Sequence, residues 1–205
     1  MPTRRELLGA GAAGTAGLLT LPAAATAAIS TNGTATSGTS EAPISETQRL
    51  QRLVGLELLL LYCYRYVLGS SILDSRTRRR LSPFADHERA HIAALETHLK
   101  ARGGVAPSGP DSTKTANRYL ANRNVAGRLG QLKGSQDALN LLLRLEQVTI
   151  GAYFVALIEV DDTKLISLVC QIMANEAQHD AVIGLSMPKG TPARAVPYGL
   201  VQGLQ

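Results

Sequence analysis

The tetrad Glu-x-x-His occurs twice in this chain, as Glu88-Arg89-Ala90-His91 and as Glu176-Ala177-Gln178-His179. With nine Glu and four His among 205 residues, random placement would give about 0.2 such tetrads. On a helix, a three-residue step sets the two side chains on one face, one turn apart. Glu88 and His91 moreover share that face with Phe84, Ile92 and Leu95. A lone glutamate precedes each tetrad, Glu57 by 31 residues before Glu88 and Glu146 by 30 before Glu176. The chain therefore repeats one unit: Glu, turn, Glu-x-x-His. Carboxylates and imidazoles on an apolar face are costly to bury unless something compensates them. Four carboxylates and two neutral imidazoles balance the charge of two divalent cations. Without metal, four buried carboxylates could not all ionise. The chemistry to which this pattern points is metal ligation.

Four amphipathic helices must position these groups. Leu50, Leu53, Val54, Glu57, Leu61, Tyr64 and Leu68 share one face of a first helix that ends near Gly69. Ser45-Glu46-Thr47-Gln48 is a capping box at its start. A second helix is expected from about Thr77 to Arg102, stopped by Gly103 and Gly104, with Leu81, Phe84, Glu88, His91 and Leu95 inward. A third starts around Ser135 and carries Leu139, Leu142, Leu143, Glu146, Tyr153 and Leu157. A fourth runs from about Thr163 to Met187, with Val169, Ile172, Met173, Glu176, His179 and Ile183 inward, and Pro188 ends it. Short turns make each successive pair an antiparallel hairpin, whereas residues 103–134 are long enough to cross the height of the bundle. The first and fourth helices should then be parallel, as should the second and third. His87 and Asp180 are expected at the surface, and His98, two turns beyond His91, as a satisfied or partly exposed histidine and not a ligand.

In that topology Cys63 and Cys170 fall roughly 20 Å apart along the axis at 1.5 Å per residue. That exceeds the ~7 Å Cα separation a disulfide can span, so two free, buried thiols are expected. Apolar residues off the ligand face, Leu56, Leu59, Val67, Leu141, Leu145, Val148 and Val155, need cover from the crossover, the tail or a second copy, which makes a homodimer an option.

The remaining stretches bound location and partners. The chain is 45% hydrophobic and 4% aromatic with a net charge of +5, a composition that favours a helical core. Its one dense basic run, Arg76 and Arg78 to Arg80, stands at a helix start without any nucleic-acid motif, so no nucleic-acid partner is expected. Arg4-Arg5-Glu6-Leu7-Leu8 resembles a twin-arginine signal within residues 1–28, with Ala-x-Ala cleavage candidates at Ala23–Ala25 and Ala25–Ala27. This implies the twin-arginine export machinery as a partner, and a periplasmic, cell-wall or extracellular destination, with retention as a membrane anchor the alternative. Residues 29–45, rich in Ser, Thr and Gly, read as a flexible linker, 46–187 as the folded domain and 188–205 as a Pro- and Gly-containing tail.

The segments GLELLLLYCYRYV, ADHERAHIAAL, LRLEQVTIGAYFV and MANEAQHDAVI together resemble the ferritin-like superfamily of di-iron carboxylate proteins, with its exported bacterial members of unassigned activity the nearest group. The resemblance implies an all-α fold, a ferritin-like four-helix bundle of two antiparallel hairpins joined by a long crossover. It also implies two divalent metal ions, iron first and manganese second, with Glu57 and His91 terminal on one, Glu146 and His179 terminal on the other, and Glu88 and Glu176 bridging. Tyr64 and Tyr153 each follow a lone Glu by seven residues; by resemblance they would hydrogen-bond ligand carboxylates, and otherwise they are amphipathic core tyrosines. The implied activity is oxidoreductase chemistry on O2 or peroxide, as a ferroxidase, a peroxidase or a manganese-catalase-like enzyme. A non-catalytic metal-binding or iron-handling bundle, or a structural, stress-related one, is the alternative.

Overall fold

The first long helix begins at a capping box: the Ser45 hydroxyl accepts from the Gln48 backbone N–H at 3.2 Å, and the Ser45 N–H donates to Gln48 Oε1 at 2.8 Å. The structure, a computed structural model, describes residues 44–187; the signal expected over 1–28, nearly all of the 29–45 linker and the 188–205 tail lie outside the described residues. In chain order come α1 (Glu46–Gly69), α2 (Ser75–Leu81), α3 (Phe84–Ala101), α4 (Thr113–Ala121), α5 (Ser135–Glu159) and α6 (Thr163–Ser186), with no strand among the described residues.

Two elements differ from the sequence expectation. The second helix is not continuous from Thr77. It starts at Ser75, where Asp74 accepts from the N–H groups of Arg76 and Thr77, each at 2.9 Å, and it breaks at Ser82–Pro83. Pro83 has no N–H to continue the ladder, and the Ser82 hydroxyl donates to the Arg79 carbonyl at 3.1 Å. Of the basic run, Arg78 donates to the carbonyls of Leu68, Ser70 and Leu73 and so ties α2 to the end of α1. The crossover, in turn, contains α4. This helix buries Ala116 and Leu120, which join Leu59, Leu141 and Leu145 in one apolar cluster. Cover for Leu59, Leu141 and Leu145 is thus supplied by the chain itself, while Val148 and Val155 stay half-buried.

Side-chain pairs across the bundle set the helix directions. Tyr64 on α1 meets Glu146 on α5, and Glu57 meets Tyr153, so seven residues forward on one helix is seven back on the other. His87 meets His179 and His91 meets Asn175, so α3 and α6 are antiparallel as well. The Val160–Asp162 turn makes α5 and α6 a hairpin, which leaves α1 parallel to α6 and α3 parallel to α5. Arg102 fastens one end by donating to Glu46 at 3.1 Å and Asp162 at 2.6 Å. Two apolar clusters fill the bundle. One holds Tyr64, Leu81, Leu120, Leu142 and Ile183, the other Leu53, Leu95, Tyr153, Val169 and Ile172. Cys63 and Cys170 are free, as the topology requires; Cys170 is only half-buried, a correction to the expected burial.

Candidate metal centre

Between the two apolar clusters lies a polar layer. Glu57, Glu88, Glu146 and Glu176 are fully buried, His179 is 1% exposed and His91 8%. Each comes from the inward face of one of the four long helices, and the 3.6-residue period that faces Leu and Val inward elsewhere faces these groups inward here. Their ligand atoms form two groups, Glu57–Glu88–His91–Glu176 and Glu88–Glu146–Glu176–His179, with the atoms in each all within 4.8 Å of one another. The groups share Glu88 and Glu176. His91 Nδ1 lies 2.8 Å from Glu176 and 3.4 Å from both Glu57 and Glu88. His179 Nδ1 lies 3.2 Å from Glu88 and 3.5 Å from both Glu146 and Glu176.

These contacts are close but poorly directed. Both oxygens of Glu88, both of Glu176, Oε2 of Glu146 and Nδ1 of His179 are buried without a well-formed hydrogen bond. Native proteins rarely leave buried polar atoms in that condition. Six donors converging on one volume, with their lone pairs aimed inward, fit divalent cations. Carboxylate oxygens and imidazole nitrogens are donors that divalent metal ions take.

Tyrosines and the distal imidazole nitrogens complete the layer. The Tyr64 hydroxyl donates to Glu146 and the Tyr153 hydroxyl to Glu57, each across the bundle onto the lone glutamate of the opposite repeat. His91 Nε2 donates to Asn175 Oδ1 at 3.0 Å, and His179 Nε2 pairs with His87 Nδ1 at 2.9 Å. Phe84 stacks on His179 with centroids 4.0 Å apart. His87, expected at the surface, is instead half-buried against His179. The missed signal is the i, i+4 spacing of His87 to His91 and of Asn175 to His179, which puts each on the ligand face. Asp180, also expected outside, is fully buried, on the side of α6 that meets Gln147 of α5. Burial raises the Asp180 carboxyl to about 6, against the pull of the Gln147 amide.

The protonation pattern of the metal-free cluster follows from burial and crowding. Burial first, then the charge of Glu176, pushes Glu57 and Glu146 well above the ordinary carboxylate range. Burial opposes charge on the imidazoles, but the carboxylates crowded against each Nδ1 outweigh it and hold His91 at about 12 and His179 at about 11. Burial would raise Glu176 too, yet the close approach of Glu146, His179 and His91 holds it below its usual range. In the absence of cations, protons thus stand in the positions where positive charge is needed.

A family model described as a ferritin-like domain matches residues 45–187, and the chain belongs to that family. Among solved structures it is similar in fold to a conserved hypothetical protein from Mycobacterium tuberculosis, at 14% identity and a TM-score of 0.58, over 70% of this chain and 92% of that one. No curated protein matches the chain.

Proposed function

We propose that this ferritin-like protein is a di-metal oxidoreductase, exported by the twin-arginine route, that acts on O2 or peroxide with iron, or failing that manganese, as its metal. The observation that carries the reading is the pair of overlapping donor groups sharing Glu88 and Glu176. Glu57 and His91 would complete one position, Glu146 and His179 the other. Two adjacent redox ions, when bound, supply the two electrons that cleave an O–O bond. The chain's own part is to hold the donors ready. Tyr64 and Tyr153 fix one oxygen of Glu146 and Glu57, Asn175 and His87 turn the Nδ1 atoms of His91 and His179 inward, and the apolar clusters exclude bulk water. Export of a folded chain through the Arg4-Arg5 signal would let the metals load before the protein leaves the cytoplasm.

The test is metal content of protein exported through its own signal. About two iron or manganese ions per chain are expected, lost in Glu88→Ala and Glu176→Ala. Rapid O2- or peroxide-dependent oxidation of Fe(II) should accompany them. Full burial of all four carboxylates favours a second reading, a slow stoichiometric metal binder; tight binding with no oxidation above the Glu176→Ala background would select it.

A further inference from the structure

The two repeats are related by exchanging α1 with α5 and α3 with α6. The exchange carries Glu57 to Glu146, Tyr64 to Tyr153, Glu88 to Glu176 and His91 to His179. It also carries His87 to Asn175 and Phe84 to Ile172, since each pair stands at the same offset before its Glu. The six donors and two tyrosines obey the symmetry in residue type, whereas these last two pairs break it. Phe84 and His87 both meet His179, and Asn175 meets His91.

Building on the di-metal reading above, we propose that the two metal positions are inequivalent, with the His179 position retaining its ion and the His91 position exchanging it. Three observations support this. His179 is 1% exposed and His91 8%, so the His91 imidazole lies nearer to solvent. His179 lies in a stack, with Phe84 at 4.0 Å and 20° between the rings and His87 at 5.2 Å and 16°; the counterpart of Phe84 is aliphatic. The third is the partner of the distal nitrogen: His87 Nδ1 for His179, Asn175 Oδ1 for His91. An imidazole nitrogen is a more basic acceptor than an amide oxygen. Accepting the Nε2–H of His179, it makes Nδ1 of the same ring the better donor, and such outer partners typically change metal affinity 10- to 100-fold. An ion leaves by exchanging protein ligands for water one at a time, and exchange starts where water arrives. Both the ligand strength and the access therefore favour loss from the His91 side.

The test uses the full chain loaded with Co2+, chased with excess EDTA and followed by the cobalt d–d absorption. The expected result is release in two phases of one Co2+ each, differing in rate by about tenfold or more. His87→Asn places an amide in both outer positions and should bring the slow phase close to the fast one. Asn175→His should slow the fast phase and leave the slow one within about twofold. Circular dichroism of each variant checks that the fold is retained, and the two exchanges must move different phases in opposite directions, which a general loosening would not do. Two bound Co2+ leaving in a single phase would overturn the inequivalence while leaving the di-metal reading intact, as would variants that move both phases together. Failure of the native chain to bind Co2+ would overturn both.

Discussion

At the scale of single residues, the metal-free centre is a set of protons in place of cations, and this has a thermodynamic sign. Four groups, Glu57, Glu146, His91 and His179, bind protons more tightly in the folded chain than unfolded, and Glu176 less tightly. A group with a raised folded value contributes stability that is whole below its unfolded value and declines as pH rises towards the folded one. For the glutamates the decline starts near 4.5 and for the imidazoles near 6.5. Glu176 has the opposite sign and loses its contribution as pH falls below 4.5. The metal-stripped protein should therefore melt at progressively lower temperature from pH 6 to pH 9. The metal-loaded protein should not, because bound ions replace those protons; parallel scans of the two forms check this, and equal slopes would contradict the account. Tyr64→Phe leaves a buried Glu146 oxygen without its donor. The expected loss is about 1–3 kcal/mol in the metal-free chain, read from chemical denaturation, and Tyr153→Phe should match it through Glu57.

At the scale of elements, the four long helices were legible because each buries an apolar face with a 3.6-residue period, and the six donors fall on those faces in register. The break at Ser82–Pro83 was hidden because the apolar period of Leu81, Phe84 and Glu88 runs across it. The helix α4 was hidden because it is nine residues long, mostly polar, and buries only Ala116 and Leu120. The partnerships of His87 and Asn175 depend on the register between α3 and α6, which no single-helix pattern contains. That short crossover helix nevertheless has weight in the packing. Leu120 is fully buried in the cluster that covers α1 and α5. Leu120→Ala should cost about 2–5 kcal/mol, whereas Leu185→Ala, at a position 54% exposed, should stay within about 0.5 kcal/mol. Denaturant titration of both variants, read against native protein, compares them directly; equal small losses would mean that the crossover is not part of the core.

For the whole molecule, the polar layer is a liability unless it is filled. Its two apolar clusters supply the packing, but between them four carboxylates and two imidazoles are withdrawn from water with few well-formed hydrogen bonds. Burying such a layer is stabilising only if the charges are paired in good geometry, and cations at the centre would do that for every donor at once. Ions that bind the folded chain and not the unfolded one stabilise it by mass action, about 4 kcal/mol at a thousandfold excess over Kd for a single site. For a chain of this size each kcal/mol moves the melting temperature by roughly 2–4 °C. Filling even one position should then raise it by roughly 8 °C or more. Thermal melts with added Mn2+, or with Fe2+ under anaerobic conditions, should show that rise in the native chain. Glu176→Ala removes a donor common to both groups, so it should abolish most of the rise, and the metal-free variant should melt below the metal-free native chain, because His91 and His179 lose the buried carboxylate that faces them both. A full metal-dependent rise in Glu176→Ala would place the ions outside this layer.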